Sequence, residues 1–454
     1  MEKQGKRCLR RVVLVPAPFQ GHINPMLQLG SILHSNGFSI TVFHAQYNSP
    51  DPSNHPDFSF IPLPDSSSDH NILAGELIAF ALELNAKCKA RFPECLADEV
   101  MRQQGSDING IACIIYDEFM YFSEETAKDL NLPSVILRTA SASSFLTRTA
   151  LINLKAEGHI PFPESRSQDP VPELYPLRFK DLPFSVFGKL DTFLQLISKG
   201  SKIETSSAII YNTIDCLENS SLAKIQQQCQ VPIFPIGPMH RIALASSSSL
   251  LEEDTNCLAW LDKQSCKSVI YVSLGSVVFM DVKELVEMAW GLANSKQPFL
   301  WVVRPGSIRG AKWIELLPEG FKEDIGERGY IVKWAPQKEV LAHSAVGGFL
   351  SHCGWNSTLE SISEGIPMIC KPCSGDQSAN ARYVSHVWRV GLELESELER
   401  GEIERVVRRL MVDEEGKEMQ KRGKILKEKF ELCIREGGSS NNFLKQLIDM
   451  IMSF

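Results

Sequence analysis

Few features restrict a fold as tightly as a buried strand that breaks into a helix through a short polar corner, and residues 346–367 read that way. Val346 to Leu350 is an apolar run, His352-Cys353-Gly354-Trp355-Asn356-Ser357-Thr358 is a tight corner, and the helical pattern behind it closes at Gly365 and Pro367. A continuous apolar run suits a parallel strand covered on both faces, which places this segment in an α/β layer structure. The start of the helix presents backbone N–H groups at the positive end of its dipole, which suits an anion such as phosphate.

The N-terminus repeats this grammar. Arg11 to Val15 is nearly all apolar and runs into Pro16-Ala17-Pro18-Phe19-Gln20-Gly21-His22-Ile23-Asn24-Pro25. A helix with Met26, Leu29 and Leu33 on one face follows, with Pro25 suited to its first turn and Gly37 to its stop. Phe38 to His44 then reads as a second strand, so the chain opens with βαβ and a doubly wound sheet. The loop lacks G-x-G-x-x-G, which argues against a nicotinamide oxidoreductase. Ile111 to Tyr116 reads as a strand ending in Asp117, Ser134 to Leu137 as one ending near Thr139, and Ala208 to Tyr211 as another. Ligands of open α/β sheets bind outside the carboxyl ends of the strands, so His22, Asp117 and Thr139 are expected to face one cleft.

Between these elements, a helical pattern runs from Leu73 to Leu84, and residues 160–190 read as a substrate-side loop rich in Pro and Phe. Residues 231–238 mark the exit from a first domain, and residues 239–254, with Ser246 to Ser249, resist packing as a linker would. The pattern then restarts. Ser268 to Val272 leads into Ser273-Leu274-Gly275-Ser276, a helix carries Leu285, Met288, Ala289 and Leu292, and strands follow at Phe299 to Val303 and Tyr330 to Val332. Glu414 to Glu431 is a charged helical tail, and Asn441 to Met452 is amphipathic and expected to dock on a domain. The division expected is residues 1–238, a linker at 239–254, residues 255–434, and a C-terminal helix in 435–454 packing back on the first domain.

A chain of 454 residues is too long for one ordinary core. Its 43% hydrophobic and 22% charged residues are ordinary for a globular protein, and a net charge of −8 argues against a nucleic-acid surface. The basic start has behind it only Val12 to Val15, shorter than the roughly 7–15 residues of a signal-peptide core. No window offers the ~18 apolar residues of a membrane span. The expectation is a monomeric cytoplasmic protein. The twelve cysteines are scattered and read as reduced thiols, and Cys370 and Cys373 form one C-x-x-C with no second ligand pair, which favours packing over zinc.

Chemistry concentrates at the corner. A diphosphate there would meet backbone N–H groups, small side-chain donors and the His352 imidazole, with the Ser276 hydroxyl at another strand end. Ser357-Thr358-Leu359-Glu360 also has the form of a capping box that needs no ligand, so Glu360 is open to both readings. Trp334, beside Pro336, has an indole suited to stacking on a flat base or to a core. Asp376 and Gln377, after Gly375, can hydrogen-bond sugar hydroxyls or simply turn the chain.

Taken together, Trp334 to Gln377 resembles the signature box of plant UDP-sugar-dependent glycosyltransferases of family 1, and its 44 residues match that box without a gap. The match includes WAPQ, the HCGWNS core, Glu360 and the closing DQ, and extends to PFQGHINP, Tyr116-Asp117 and SLGS. The resemblance implies a GT-B type fold of two facing Rossmann-like domains with a cleft between them, acceptor on the first and UDP-sugar on the second. Trp334 would stack on uracil, with Ala335 and Gln337 along the nucleoside and Glu360 on the ribose. His352, Gly354, Asn356, Ser357 and Ser276 would meet the diphosphate, and Trp355, Asp376, Gln377 and Thr139 the sugar. In that family Trp355 and a terminal Gln377 go with glucose. The chain departs from the pattern at Cys373, where a Phe is common.

Sugar transfer from UDP to a hydroxyl needs a base for the acceptor proton and support for the leaving diphosphate. His22 is the expected base and Asp117 the group that fixes its tautomer. One displacement opposite the leaving group predicts inversion, from an α-linked donor to a β-glucoside, with no metal and no cofactor beyond UDP-glucose as co-substrate. Phe19, Phe119, Tyr121, Phe122, Phe145, Phe184 and Phe187 suggest an apolar acceptor pocket for a flavonoid, terpenoid or hormone. A UDP-sugar epimerase on the same fold and a silent UDP-sugar binder are the rival readings.

Overall fold

The computed structural model describes residues 10–63, 77–102, 110–183, 189–243, 249, 251–394 and 398–454. Two compact units emerge. The first comprises Met1–Ala156, Phe184–Leu250 and Cys433–Phe454, and the second Glu157–Pro183 with Leu251–Leu432.

The first unit is built on strands β1 (Arg11–Val15), β2 (Ser39–His44), β3 (Phe58–Pro62), β4 (Ile111–Asp117), β5 (Ser134–Arg138), β6 (Ala208–Tyr211) and β7 (Ile233–Pro235). They form one parallel sheet in the order β3-β2-β1-β4-β5-β6-β7. Residues Val12 to Val15 are fully buried. Because strand side chains alternate between faces, Val12 and Leu14 join a core with Met26, Leu29 and Leu33, while Val13 and Val15 join another with Phe43 and Ile114.

The second unit holds β8 (Val269–Ser273), β9 (Phe299–Val302), β10 (Gly329–Val332), β11 (Val346–Ser351), β12 (Met368–Cys370) and β13 (Gly391–Glu393), parallel in the order β10-β9-β8-β11-β12-β13. Helix Val282–Ser295 starts with a true capping box, Asp281 with Glu284. Helix Arg400–Met411 packs so closely on it that a Cβ at Gly291 would lie 2.5 Å from Ile403. In each sheet the strand order reverses once, between β1 and β4 and between β8 and β11, and such switch points are where doubly wound sheets bind ligands.

The structure departs from the sequence reading in several places. Strands β3, β7, β12 and β13 carried no usable signal. Three of them are only three residues long, too short for a period, and β3 is partly exposed in a Pro-rich stretch. Helix Gln20–Ser35 begins before Pro25, which stands inside it, so His22 belongs to the helix and not to the loop. Within 239–254, Met239 is fully buried at the start of a helical turn, Met239–Ile242. Ser66 to Ser68, Leu73 and Ser246 to Ser248 lie outside the described residues.

Segment 157–183 groups with the second unit, and an ionic cluster explains why. Arg178 donates to Asp181 at 2.9 Å and to Glu393 at 2.6 Å, and Arg382 donates to the Pro176 carbonyl at 3.0 Å. The C-terminal helix Ser439–Ser453 belongs to the first unit. Its Leu444, Leu447 and Ile451 are buried in the core that holds β1, each contributing about 1.5–3 kcal/mol by apolar burial. Among the described residues no helix is long and apolar enough to cross a membrane.

Candidate active site

At the switch point of the first unit, helix Gln20–Ser35 follows β1 and carries His22, while β4 ends in Asp117. His22 Nδ1 lies 2.7 Å from Asp117 Oδ2. The Phe119 backbone N–H donates to the other carboxylate oxygen at 2.9 Å, so the carboxylate is fixed in a fully buried position. A carboxylate only accepts, so Nδ1 carries the proton and Nε2 is left as the basic nitrogen. Burial lowers the His22 pKa, but the charge and hydrogen bond of Asp117 outweigh it and the net shift is upward. Thr139, which the motif resemblance places on the sugar, has its hydroxyl 3.0 Å from the same Nδ1.

The aromatic residues around His22 divide. Phe19 and Phe119 sit 5.9 and 5.3 Å from the imidazole, and both are half-buried. Phe122 does not line a pocket; at 1% exposure it is a core residue, edge-on to Phe92 at 5.3 Å. Tyr121 is half-buried beside Lys199. Phe145 packs over the Arg138 guanidinium at 3.6 Å. Phe184 and Phe187 lie outside the described residues.

At the switch point of the second unit, β8 leads into Gly275 and Ser276, and β11 leads into His352 and helix Trp355–Ser363. The helix starts at Trp355 with Gly354 as its N-cap, so Ser357 is inside it and the capping-box reading fails. The Ser357 hydroxyl instead accepts from the Gln337 amide at 2.9 Å, and Glu360 accepts from the same nitrogen at 2.7 Å. Thr358 makes the first intrahelical N–H bond, onto the Gly354 carbonyl, so the turn before it points its N–H groups out of the helix end. His352 is wedged between two glycines: a Cβ at Gly275 would fall 2.6 Å from its ring and one at Gly354 2.5 Å from Nε2.

Burial draws the His352 pKa down to about 4, with the Ser273 backbone pulling the other way. Burial thus favours the neutral imidazole near pH 7. Its Nδ1 is buried with no hydrogen-bond partner among the described residues. Burial pushes the Glu360 carboxyl up to about 7, against the Gln337 hydrogen bond. Trp334 is half-buried, and its carbonyl accepts from the Asp254 N–H at 3.0 Å; Ala335 is buried. Trp355 is 4% exposed, with its ring 6.3 Å from Trp388. The Gln377 carbonyl oxygen accepts from the Cys373 and Ser374 N–H groups at 2.9 Å each.

Comparison with known proteins resolves the class. Residues 83–425 match the family described as UDP-glucoronosyl and UDP-glucosyl transferase. This chain belongs to that family. It is 51% identical to UDP-glycosyltransferase 76E1 of Arabidopsis thaliana over 454 residues, covering 99% of each. It is 50% identical to flavonol 3-O-glucosyltransferase UGT76E12 of the same plant over 452 residues, covering 98% of each. Among solved structures, a UDP-glucosyltransferase from Polygonum tinctorium capable of glucosylating indoxyl matches with a TM-score of 0.83 at 28% identity, covering 98% of this chain and 99% of that one. UGT71G1 of Medicago truncatula, complexed with UDP-glucose, matches with a TM-score of 0.81 at 26% identity, covering 97% and 98%. The fold is thus the GT-B type of plant family 1 enzymes, and the chain is a UDP-glycosyltransferase that uses a UDP-sugar donor.

Several residues that shape the site of this UDP-glycosyltransferase escaped the sequence reading. Asn380, 1% exposed, donates to the Cys353 carbonyl and to Asp376, each at 3.0 Å, tying the HCGWNS corner to the closing DQ. Asn85 donates to the Phe119 carbonyl at 2.6 Å and accepts from the Phe122 N–H at 3.1 Å, fixing the loop behind Asp117. Glu118, Arg138 and Arg148 are buried together beside it. A capping amide or a paired charge looks like an ordinary polar residue until its distant partner is known.

Proposed function

We propose that this enzyme transfers glucose from UDP-glucose, with inversion, to a hydroxyl or carboxyl of a small plant metabolite such as a flavonoid, terpenoid or hormone, with His22 as general base. The observation that carries the reading is the 2.7 Å contact between His22 Nδ1 and Asp117, which holds the proton on Nδ1 and presents Nε2 as the base. The acceptor O–H gives its proton to Nε2 as its oxygen bonds to the anomeric carbon. On the opposite face the bond from that carbon to the diphosphate oxygen breaks and UDP leaves, so an α-linked donor yields a β-glucoside. Asp117 supports the imidazolium that forms.

On the donor side, Trp334 stacks on uracil, with Ala335 and Gln337 along the nucleoside and Glu360 on the ribose. The N–H groups at the start of helix Trp355–Ser363, with Gly354 and Asn356, neutral His352 and Ser276, hold the diphosphate, a role suited to helix N-termini. Trp355, Asp376 and Gln377 hold the sugar, and no metal is required. The reaction is placed in the cytoplasm. The test is His22→Ala: transfer should fall by at least about two orders of magnitude while UDP still binds. Full activity in that variant would overturn the mechanism.

A further inference from the structure

Asp215 opens helix Asp215–Gln228, and its Oδ1 accepts from the Cys216 backbone N–H at 2.8 Å, from the Ser439 hydroxyl at 2.7 Å and from the Cys433 thiol at 3.7 Å. Three chain segments thus meet at one carboxylate. The sulfurs of Cys216 and Cys433 and a carboxylate oxygen of Asp215 all lie within 4.8 Å of one another. Cys216 is exposed and Cys433 half-buried. The two thiols are some 217 residues apart in the chain, and hydrogen bonds beside them hold them together. Ser439 is tied to Asp215, and the buried Ser440 next to it donates to the Gly237 carbonyl at 2.8 Å.

The chain leaves the first unit after Leu250 and returns to it at Cys433, the penultimate residue of helix Glu414–Ile434. Cys216 belongs to the same unit. A covalent bond between the two sulfurs would fix the returning chain there and close a loop that contains all of Leu251–Leu432. Cross-linking so long a loop removes freedom from the unfolded chain and stabilises the folded one. Closing the sulfurs to the ~2.05 Å of an S–S bond is within reach of side-chain rotation. Three donors already share the Asp215 oxygen, which favours chemistry between the sulfurs over a cation held by all three groups.

We propose that Cys216 and Cys433 are a modification site, a dithiol that a small-molecule disulfide converts reversibly into a bridge. The exposed Cys216 thiolate attacks one sulfur of oxidised glutathione and expels a glutathione thiolate. The Cys433 thiolate then attacks the Cys216 sulfur of the mixed disulfide and expels the second. The protein S–S bond replaces that of glutathione, two electrons pass from protein to glutathione, and the two thiol protons end on two glutathione thiols. Neither cysteine belongs to the proposed donor or acceptor residues, so the pair acts on stability and not on the transfer step.

The experiment incubates the full chain with excess oxidised glutathione and a chelator, blocks the remaining thiols with a maleimide, and maps the unreduced digest by mass spectrometry. The expected result is a peptide pair joining Cys216 to Cys433, two hydrogen atoms lighter than the separate thiols and released by dithiothreitol. The bridged protein should also melt at least about 2 °C higher than the reduced one. Cys216→Ser and Cys433→Ser should each keep the transferase activity and the Tm of the reduced wild type, and lose both the bridge and the rise in Tm. The wild-type mapping needs no variant, so a serine variant that fails to fold leaves that test standing. A glutathione adduct at Cys216 that goes no further, a bridge to any other cysteine, or a Cys216–Cys433 bridge with no change in Tm each overturns the proposal. So does protection of both thiols from the maleimide by Zn2+ in a protein that forms no bridge, which would assign the cluster to a cation.

Discussion

Gly275 and His352 occupy the same small space: a methyl group on Gly275 would lie 2.6 Å from the imidazole, well inside van der Waals contact. Gly275 also has φ +75°, a conformation that L side chains rarely adopt. The SLGS turn after β8 is thus shaped by the histidine after β11, and the two motifs, some 75 residues apart in the chain, make one site.

Gly275→Ala should therefore weaken UDP binding as well as stability. The expected loss of stability is about 1–3 kcal/mol, from backbone strain and displacement of the ring. UDP affinity, read by calorimetry, should fall at least about tenfold, the effect of losing roughly one charge-assisted hydrogen bond. Gly306→Ala is the control. Its φ is +73° but a Cβ there meets nothing within 4 Å, so only strain should appear and UDP affinity should hold. Equal UDP affinities in both variants would show that His352 does not depend on the glycine.

Asp117→Asn separates orientation from folding. The amide oxygen can keep the Phe119 N–H bond, which leaves the amide NH2 facing His22 Nδ1; an NH2 only donates, so the ring proton moves to Nε2 and the basic nitrogen no longer faces the acceptor. Turnover should fall by about two orders of magnitude or more. The pH profile adds a signed test. The wild-type His22 pKa is raised above 6.5 because Asp117 outweighs burial, so the acid limb of kcat/KM lies above that value. Removing the charge leaves burial dominant and moves the limb to lower pH. The stability that the pair contributes is fully present below pH 6.5 and is lost as pH rises through the raised folded value, and Asp117→Asn should flatten that dependence.

How far the chain could be read depended on whether a residue announces its partner. The runs at Val12 to Val15 and Val346 to Leu350 carry their own evidence of burial, and both strands sit centrally in their sheets. The HCGWNS corner likewise declares a strand-to-helix turn. Strands β12 and β13 do not, since three residues give no period and only their pairing with β11 and with each other makes them strands. The S-x-x-E pattern at Ser357 misleads because capping depends on where the helix begins, and it begins at Trp355. Arg178 reads as an exposed charge in a proline-rich loop, yet its guanidinium is held between Asp181 and Glu393, 215 positions away, and that partner decides which unit residues 157–183 join.

Glu360 supplies the clearest pH dependence on the donor side. Burial raises its pKa to about 7, against the Gln337 amide and the Lys338 charge, which favour the charged form. A carboxylate accepts hydrogen bonds from two ribose hydroxyls, whereas the protonated acid has lost much of that accepting capacity. UDP affinity should therefore decline as pH falls from about 8 to about 6, and binding should release a proton from Glu360 in that window. The ligand-free protein should show the opposite trend for this group. Its folded pKa is raised, so its contribution to stability is full below the ordinary value near 4.5 and fades as pH rises through about 7. Glu360→Gln should remove both dependences and weaken UDP throughout the range. Calorimetry in two buffers of different ionisation enthalpy measures the proton release directly, and a wild-type protein that binds UDP without releasing a proton near pH 6.5 would show that Glu360 does not hold the ribose as a carboxylate.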